Sequence, residues 1–421
     1  MSAYGAMHVE PWLVRAARSR PGHEALRTPQ GSLTYTELLA AARCAAGALP
    51  AGATVALALP PGRDFALALH GCLLAGATAV PVDLRLGAAE QAHVTRGADL
   101  VVDAPLVAPP ADPRPHDLDA PAIVVHTSGT SGLPKRVELT YGNWLWSALG
   151  AHTAMGLRRD ERWLCALPLS HVGGLSILVR SAIYATTAIV HDHFDADQVL
   201  AEEHTVISVV PTTLQRLLDA GLERGGRGQA LRCALVGGAP IPPALMERAA
   251  AAGVAAVETY GLTEACSQVT TAGRPLFCTK VQLGDEGEIL VSGPTVSPSA
   301  TRPLATGDLG AWTADGRLVI TGRRADTIVT GGENVAPAEV EAVLEAHPAV
   351  AEAAVYGRPD PEWGETVRAT VVLRSGTTVS EAELRAHCAS KLAPFKVPKG
   401  CSFAHELPRT ASGKLLRRHL P

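Results

Sequence analysis

A segment rich in hydroxyl side chains and glycine, TSGTSGLPK at residues 127–135, is the clearest candidate for chemistry in this chain. It directly follows the apolar run AIVVH, which is typical of a buried strand. Glycines beside hydroxyl residues let main-chain N–H groups converge on an anion, and the terminal lysine adds a positive charge. The spacing to Lys135, and Arg136 after it, exclude the Walker A motif. The segment predicts a phosphate-binding loop, with a flexible Ser/Gly linker as the alternative.

A second segment, TYGLTE at residues 259–264, follows the strand-like run VAAVE. The hydroxyl of Thr263 beside the carboxylate of Glu264, at the carboxyl end of a strand, suits a phosphate together with its Mg²⁺ ion. The ring of Tyr260 can stack on a base. The alternative is an ordinary capped helix start at Thr263.

Two further segments carry charge near the C-terminus. TGDLG at residues 306–310 is followed by GRRAD at 322–326, so that Asp308 can accept bonds from ribose hydroxyls and Arg323 can reach phosphate or sugar oxygens. Taken alone, they are equally a turn aspartate and a surface arginine. The fourth segment, PRTASGK at 408–414, ends on Lys414, and by itself it is most simply a solvated basic tail.

These segments lie in a chain that alternates helical and strand patterns. Predicted pairs in the first third are a helix over 35–49 with a strand over 54–58, and a helix over 64–75 with a strand over 78–82. Further strands are predicted over 123–125, 205–210 and 234–236, with helices from Tyr141, Thr212 and Pro242. The alternation favours βαβ units and parallel sheets. Residues 104–121, rich in Pro and Asp, are predicted to form an irregular surface segment.

The pattern changes after about residue 285. Short strands with a hairpin signal at Asp315-Gly316 give way to a predicted helix over 335–346, strands over 350–356 and 366–372, and a helix over 380–392. Ser380 with Glu383 three residues later forms a capping box for that last helix. We therefore predict two domains, residues 1–324 and 325–421.

Composition limits the classes of protein. The 421 residues are 47% hydrophobic, and the 37 basic and 41 acidic residues give a net charge of −4, which argues against a nucleic-acid-binding protein with a broad basic surface. The stretch over 65–84 is predicted to be a buried helix and strand rather than a membrane span. The N-terminus lacks the pattern of a signal peptide, and the eight cysteines include no CxxC, as expected in a reducing cytoplasm. His191 and His193 are a candidate metal pair, with ordinary strand polarity as the favoured alternative.

The four segments, in this order and at these distances, resemble the acyl-adenylate-forming superfamily from about residue 30 to the C-terminus. The resemblance implies an α/β fold, with a large N-terminal domain of stacked α/β sheets and a distorted β-barrel, plus a small mobile α+β C-terminal domain hinged near Ala325. The hinge position in this family is often Asp or Lys, so Ala325 is a departure from the pattern, as is the short N-terminal part.

The resemblance also implies roles for individual residues. The catalytic residues by this resemblance are Lys414, Thr263, Glu264 and the pocket-gating His171. The metal ligands are Thr130 and Glu264. The loop over 331–334, GGEN, resembles the loop that admits the thiol. The nucleotide-binding residues are Thr127, Ser128, Gly129, Thr130, Ser131, Gly132, Lys135, Gly238, Ala239, Tyr260, Gly261, Asp308 and Arg323.

The chemistry implied is ATP-dependent ligation of a small carboxylic acid to coenzyme A through an acyl-AMP intermediate, with Mg²⁺. Several segments, including LPLSHVGGLSIL, look most like those of the o-succinylbenzoate–CoA ligases of menaquinone biosynthesis. The candidates to hold the second carboxylate of that acid are His171, Arg180, Arg216, Ser208 and Thr212. Arg180 and Arg216 are otherwise plain surface residues.

Three alternatives stay open from the sequence. They are another aryl- or medium-chain acyl-CoA synthetase, a stand-alone adenylation enzyme that loads a carrier protein, and a non-catalytic binding homologue, which the presence of all the motif residues disfavours. We expect no nucleic-acid partner, no membrane span and a cytoplasmic location, and a homodimer stays open.

Overall fold

The fold is known from a computed structural model that describes residues 7–128, 134–223, 226, 230–409 and 415–420, without the side chains of residues 128 and 418. The described residues form two compact units. The first takes those of Met1–Gly238, Met246–Lys280 and Val291–Leu304, and the second takes those of Ala239–Leu245, Val281–Leu290 and Ala305–Pro421. The predicted division at residues 324 and 325 stays a prediction.

The first elements in chain order are β1 (His8–Val9), α1 (Trp12–Ser19), β2 (Glu24–Thr28), β3 (Gly31–Thr34), α2 (Tyr35–Gly47), β4 (Thr54–Leu57), α3 (Arg63–Ala75), β5 (Thr78–Pro81), α4 (Ala88–Val94), β6 (Leu100–Val102), β7 (His116–Asp117), β8 (Pro121–Ser128) and β9 (Pro134–Thr140).

The chain continues with α5 (Tyr141–Met155), β10 (Arg162–Cys165), α6 (Val172–Tyr184), β11 (Thr187–Val190), α7 (Ala196–Ala201), β12 (Val206–Val209), α8 (Pro211–Asp219), β13 (Cys233–Val236), α9 (Pro243–Ala251), β14 (Ala256–Leu262), β15 (Ser267–Thr271) and β16 (Arg274–Pro275).

The last elements are β17 (Lys280–Leu283), β18 (Glu288–Ser292), β19 (Leu304–Trp312), β20 (Leu318–Arg323), β21 (Ile328–Thr330), β22 (Glu333–Val335), α10 (Pro337–Glu345), β23 (Val350–Asp360), β24 (Gly364–Leu373), α11 (Glu381–Ala389) and β25 (Gly400–Ala404).

Two large sheets organise the first unit. A five-stranded sheet has the order β6-β4-β5-β8-β9, and a nine-stranded sheet has the order β16-β15-β14-β13-β12-β10-β11-β2-β3. Their central strands run parallel, as the alternation of helix and strand predicted. The core contains the fully buried indoles of Trp144 and Trp163 among aliphatic side chains. The carboxyl ends of these parallel strands are therefore the edge at which a site is expected.

The second unit contains a four-stranded sheet, β17-β18-β19-β20, and a five-stranded sheet formed by β21 to β25. Helices α10 and α11 pack on the latter around a small aliphatic core. The expected architecture of α/β sheets followed by a smaller α+β domain is confirmed. Within the described ranges, the structure holds no helix long and apolar enough to cross a membrane.

Local hydrogen bonds explain several helix starts. The predicted capping box at Ser380 is confirmed, since its hydroxyl accepts from the main-chain N–H of Glu383 and the carboxylate of Glu383 accepts from the N–H of Ser380. Thr140 and Asn143 cap α5 in the same reciprocal manner. These bonds satisfy main-chain donors that a helix leaves unpaired in its first turn.

Two local predictions are wrong. Val335 belongs to strand β22 rather than to a helix, because Ala336 before Pro337 is extended and Pro337 occupies the first helical position. The segment over 104–121 is not wholly at the surface, because His116 and Leu118 are buried and His116–Asp117 pairs with His8–Val9.

Candidate active site

A hairpin carries the ends of the predicted phosphate loop. Strands β8 and β9 are antiparallel, with Thr127 opposite Lys135 and Ser128 opposite Pro134. Helix α4 supports the hairpin from the side, since the imidazole Nε2 of His93 lies 3.1 Å from the carbonyl oxygen of Pro134. The predicted residues Gly129, Thr130, Ser131 and Gly132 lie outside the described residues.

The second motif begins at the carboxyl end of β14. The strand ends at Leu262, and Thr263–Ala265 form a single 3-10 turn, so a longer helix does not start there. Gly261 is required at its position, because a Cβ atom would lie 1.7 Å from the carbonyl oxygen of Ser267. Tyr260 precedes it, half-buried, opposite Thr270 on β15.

Glu264 connects the two motifs. Its carboxylate Oε1 lies 3.5 Å from the ammonium Nζ of Lys135, and its carbonyl oxygen accepts from the main-chain N–H of Ser297. The Glu264 side chain is 20% exposed and that of Lys135 is 66% exposed, so both are accessible to a ligand. The structure thus brings together, from two different sheets, a cation and an anion that the sequence placed 129 residues apart.

Glu264 also fits the predicted Mg²⁺ ion. Among the described residues, no group of three His, Cys, Asp or Glu side chains could hold a metal alone, and His191 is buried while His193 pairs with Asp192. Magnesium is commonly bound in proteins by one or two carboxylates, with phosphate oxygens and water completing the shell. A single accessible carboxylate beside the predicted phosphate-binding hairpin meets that description.

The loop after β13 approaches β14 closely. A Cβ atom on Gly237 would lie 2.7 Å from the carbonyl oxygen of Thr259, and Gly238 adopts a φ of +82° that favours glycine. The main chain can therefore turn tightly beside Tyr260, as we expect of a loop that packs against the flat ring of a bound base. The next predicted residue, Ala239, belongs to the second unit.

The ribose candidates lie in the second unit, on the β19–β20 hairpin. Asp308 pairs in register with Arg323, and the guanidinium Nε lies 2.9 Å from the Asp308 Oδ1. The carboxylate is 9% exposed and the arginine 59% exposed. Asp308 is therefore held in place by an arginine that can itself reach a ligand.

His171 and Arg180 belong to the same helix. His171 is the N-cap residue of α6, directly after the loop that follows β10, and its side chain is 39% exposed. Arg180 is fully buried, so the alternative of a surface arginine is wrong, whereas Arg216 is exposed on α8. Ser208 accepts from the indole N–H of Trp163.

The surroundings of Arg180 are polar but contain no carboxylate that bonds to it among the described residues. Its Nη1 donates to the Gln268 amide oxygen at 2.7 Å and its Nη2 donates to the Ser147 hydroxyl at 3.0 Å, while its Nε has no partner. Burial lowers the pKa of this guanidinium, and the ring of Trp163 lies 5.8 Å away. A buried cation of this kind is costly unless an anion joins it.

Sequence reasoning missed two polar clusters. Asp83, two residues after β5, contacts Ser170, and it could have been noticed as a carboxylate just beyond a strand's carboxyl end. Arg417, three residues after Lys414, binds Glu341 through both Nη atoms at 2.6 and 3.2 Å and Asp326 at 3.2 Å. The sequence carries no local signal for these contacts, and Lys414 itself lies outside the described residues.

The chain was compared with known protein families and structures. The model of the AMP-binding enzyme family matches residues 13–103 and 97–299, and that of the AMP-binding enzyme C-terminal domain matches residues 339–414. The chain is 36% identical to the 2-succinylbenzoate–CoA ligase of Bacillus licheniformis, over 97% of this chain and 98% of that protein. It is 35% identical to the 2-succinylbenzoate–CoA ligase of Bacillus subtilis, over 97% of each.

Solved structures agree with these matches. The o-succinylbenzoate CoA synthetase from Bacillus subtilis, in complex with its acyl-adenylate intermediate, superimposes with a TM-score of 0.90 at 34% identity, over 98% of both chains. The same enzyme in complex with ATP and a magnesium ion gives a TM-score of 0.90 over 98% of this chain and 100% of that one.

Proposed function

Because this chain belongs to the family of AMP-binding enzymes, we propose that it is an ATP-dependent acid–CoA ligase that converts o-succinylbenzoate to o-succinylbenzoyl-CoA. The observation that carries the proposal is similarity along almost the whole chain to ligases of that name, including one bound to its acyl-adenylate. The reaction falls in menaquinone biosynthesis. Its location would be the cytoplasm, where ATP and CoA are available.

In the first half-reaction, a carboxylate oxygen of the acid attacks the α-phosphorus of ATP. A new P–O bond forms, the bond to the β-phosphate bridge oxygen breaks, and pyrophosphate leaves. The obstacles are repulsion between two anions and their alignment. The hairpin around Thr127 and Ser128 and the ammonium of Lys135 are suited to hold the phosphates, and Asp308 the ribose. Glu264 and Thr130 would hold Mg²⁺, which would supply positive charge against the charge that develops on the phosphates.

In the second half-reaction, the thiol sulfur of CoA attacks the carbonyl carbon of the acyl-AMP. A C–S bond forms, the C–O bond to the phosphate breaks, and AMP leaves, while the thiol proton passes to solvent. The predicted thiolation loop lies on the β21–β22 hairpin, where Gly331 and Gly332 both have positive φ, at +59° and +82°. Glycine at both central positions permits the tight turn, and a Cβ atom on Gly331 would lie 2.9 Å from the ring of Trp363.

Arg180 is our candidate for binding the second carboxylate of the acid. Helix α6, whose N-cap residue is His171, brings Arg180 against Gln268 on β15, four residues beyond Glu264. It therefore lies among the elements that carry the candidate catalytic residues. A carboxylate in this position would neutralise the buried cation and accept its unpaired Nε–H.

The test is pyrophosphate release by the purified protein with ATP, Mg²⁺ and a panel of carboxylic acids, each with and without CoA. We expect the largest kcat/KM with o-succinylbenzoate, together with formation of its CoA thioester. A higher value with benzoate or a medium-chain acid would support another acyl-CoA synthetase. Release without a thioester would support loading of a carrier protein, and no release with any acid would support a binding homologue. The homodimer that the sequence leaves open is a separate question, which light scattering tests.

A further inference from the structure

Asp83 lies between two segments that come from different sheets. It follows β5, and its side chain is 13% exposed. The Ser170 hydroxyl donates to its Oδ2 at 3.2 Å, and the imidazole Nε2 of His171 lies 4.0 Å from the same oxygen. Arg85 completes the cluster, donating from its main-chain N–H, its Nε and its Nη2 at 3.1, 2.8 and 2.6 Å.

The position of Asp83 in its sheet places it beside the phosphate hairpin. Strand β5 runs parallel to β8, with Ala79 opposite Ile123. Asp83 lies four residues after Ala79, and Thr127 lies four residues after Ile123. The same carboxylate therefore contacts the loop that ends at His171 and lies near the level at which the predicted phosphate-binding residues begin.

A second contact crosses between the same two sheets. Lys135 on β9 and Glu264 after β14 are 3.5 Å apart, so the five-stranded and nine-stranded sheets meet through polar groups at both places. The contact of Asp83 lies beside His171, whereas the contact of Lys135 belongs to the predicted phosphate-binding segment.

The carboxylate of Asp83 is ionised. Burial would raise its pKa, but hydrogen bonds from Arg85 and the charges of Arg85 and His171 outweigh this effect and lower it. Asp83 is therefore a charged residue that is paired with Arg85 and can hold neighbouring side chains in place, and we call it an anchor for this reason. Its Oδ1 accepts from Arg85, whereas Oδ2 is shared by the Nη2 of Arg85 and the hydroxyl of Ser170, with the imidazole of His171 4.0 Å away.

We propose that Asp83 is a positioning residue that holds Ser170 and His171 at the entrance of the acid pocket, and so sets the affinity for the acid rather than for ATP. The inference rests on the proposed ligase function. His171 would contact the acid, whereas Asp83 acts through it. An anchor of this kind keeps the imidazole in one orientation, which lowers the entropy lost when the acid binds.

The experiment compares Asp83→Asn and Ser170→Ala with the wild type. Asp83→Asn keeps the shape of the side chain and removes its charge, and Ser170→Ala removes one contact of the anchor without altering His171. The matched control is Asp112→Asn, which removes an exposed ion pair with Arg43 in the same unit. Measurements are kcat, KM for the acid and KM for ATP by pyrophosphate release, together with the unfolding temperature.

We expect Asp83→Asn to raise KM for the acid about tenfold, the loss typical of one charge-assisted contact, with KM for ATP within about twofold of the wild type. Ser170→Ala should raise it about threefold, and the double variant should be no worse than Asp83→Asn because both changes remove the same anchor. Asp112→Asn should behave as wild type.

Equal increases in both KM values, or a lower unfolding temperature with unchanged KM for the acid, would show that Asp83 is only structural. If Asp83→Asn fails to fold, an unchanged KM for the acid in Ser170→Ala overturns the proposal by itself. A wild-type protein that activates no acid would instead refute the proposed ligase function, so the two failures are distinguishable.

Discussion

Replacing Arg180 by Met tests whether this buried cation serves to bind the substrate. Met has a similar length and no charge. The change removes a desolvated guanidinium, whose burial costs several kcal/mol, but it leaves the Gln268 amide oxygen without its donor, at about 1–3 kcal/mol. The contact with Trp163 contributes about 0.5–2 kcal/mol more. The Ser147 hydroxyl keeps its bond to the carbonyl oxygen of Cys266.

These opposing contributions nearly cancel, so we expect the free energy of unfolding to change by no more than about 2 kcal/mol. The loss of kcat/KM for o-succinylbenzoate, which has two carboxylates, should be large compared with this change in stability. A hydrogen bond to a charged group is worth about 1.5–3 kcal/mol, which corresponds to a loss of about 10- to 150-fold in kcat/KM for o-succinylbenzoate. Benzoate, which has no second carboxylate, should lose less than about threefold.

The assay is steady-state pyrophosphate release with each of the two acids, accompanied by urea unfolding. Arg180→Lys is the charge-retaining control, and we expect it to recover part of the discrimination between the acids. The reasoning is refuted if Arg180→Met lowers kcat/KM equally for both acids. It is also refuted if the variant loses more than about 3 kcal/mol of stability, the cost typical of breaking a satisfied buried pair.

Three further predictions concern other residues. Glu264→Gln should lower the rate of adenylation by about 10²–10³ and raise the Mg²⁺ concentration required, and a titration of pyrophosphate release against Mg²⁺ that superimposes on the wild type would contradict its role. Lys414→Ala should slow adenylation by a similar factor but leave thiolation of supplied acyl-AMP nearly unchanged, so an equal loss in both half-reactions would refute the assignment. Burial raises the pKa of Glu345 from 4.5 to about 7, so the folded protein keeps a proton that the unfolded chain releases, and the stability of the wild type should fall by about 3 kcal/mol as the pH rises from 4.5 to 7 and then level off. Urea unfolding at pH 5 and pH 8 should show this difference in the wild type, and Glu345→Gln should lack it.

Local patterns predicted the elements well. The helices at Tyr35, Tyr141 and Glu381 and the strands around them follow from periodicity and from caps within three or four residues. The Asp315-Gly316 hairpin between β19 and β20 is confirmed, with Gly316 at a φ of +76°. Such signals are reliable because the hydrogen bonds that they describe close over short distances along the chain.

Predictions failed where distant contacts override local composition. The Pro- and Asp-rich segment over 104–121 looked like a surface loop, but His116 packs against Trp12 and Tyr141 with ring centroids 4.7 and 4.4 Å apart. Arg180 lies on a helix whose pattern allowed either exposure or burial. The buried neighbours that decide its environment come from other elements.

Residue types and spacing within a few positions were enough to predict the chemistry-bearing motifs, their order and the elements that carry them. Which side chains meet became known only from the packing of those elements. Ser170 contacts Asp83, which lies 87 positions away in the sequence, and Arg180 contacts Gln268, which lies 88 positions away. The sequence around one partner does not indicate the other. The reason is physical: such contacts depend on how sheets and helices pack and on which charges lose their water, and these are properties of the folded chain as a whole.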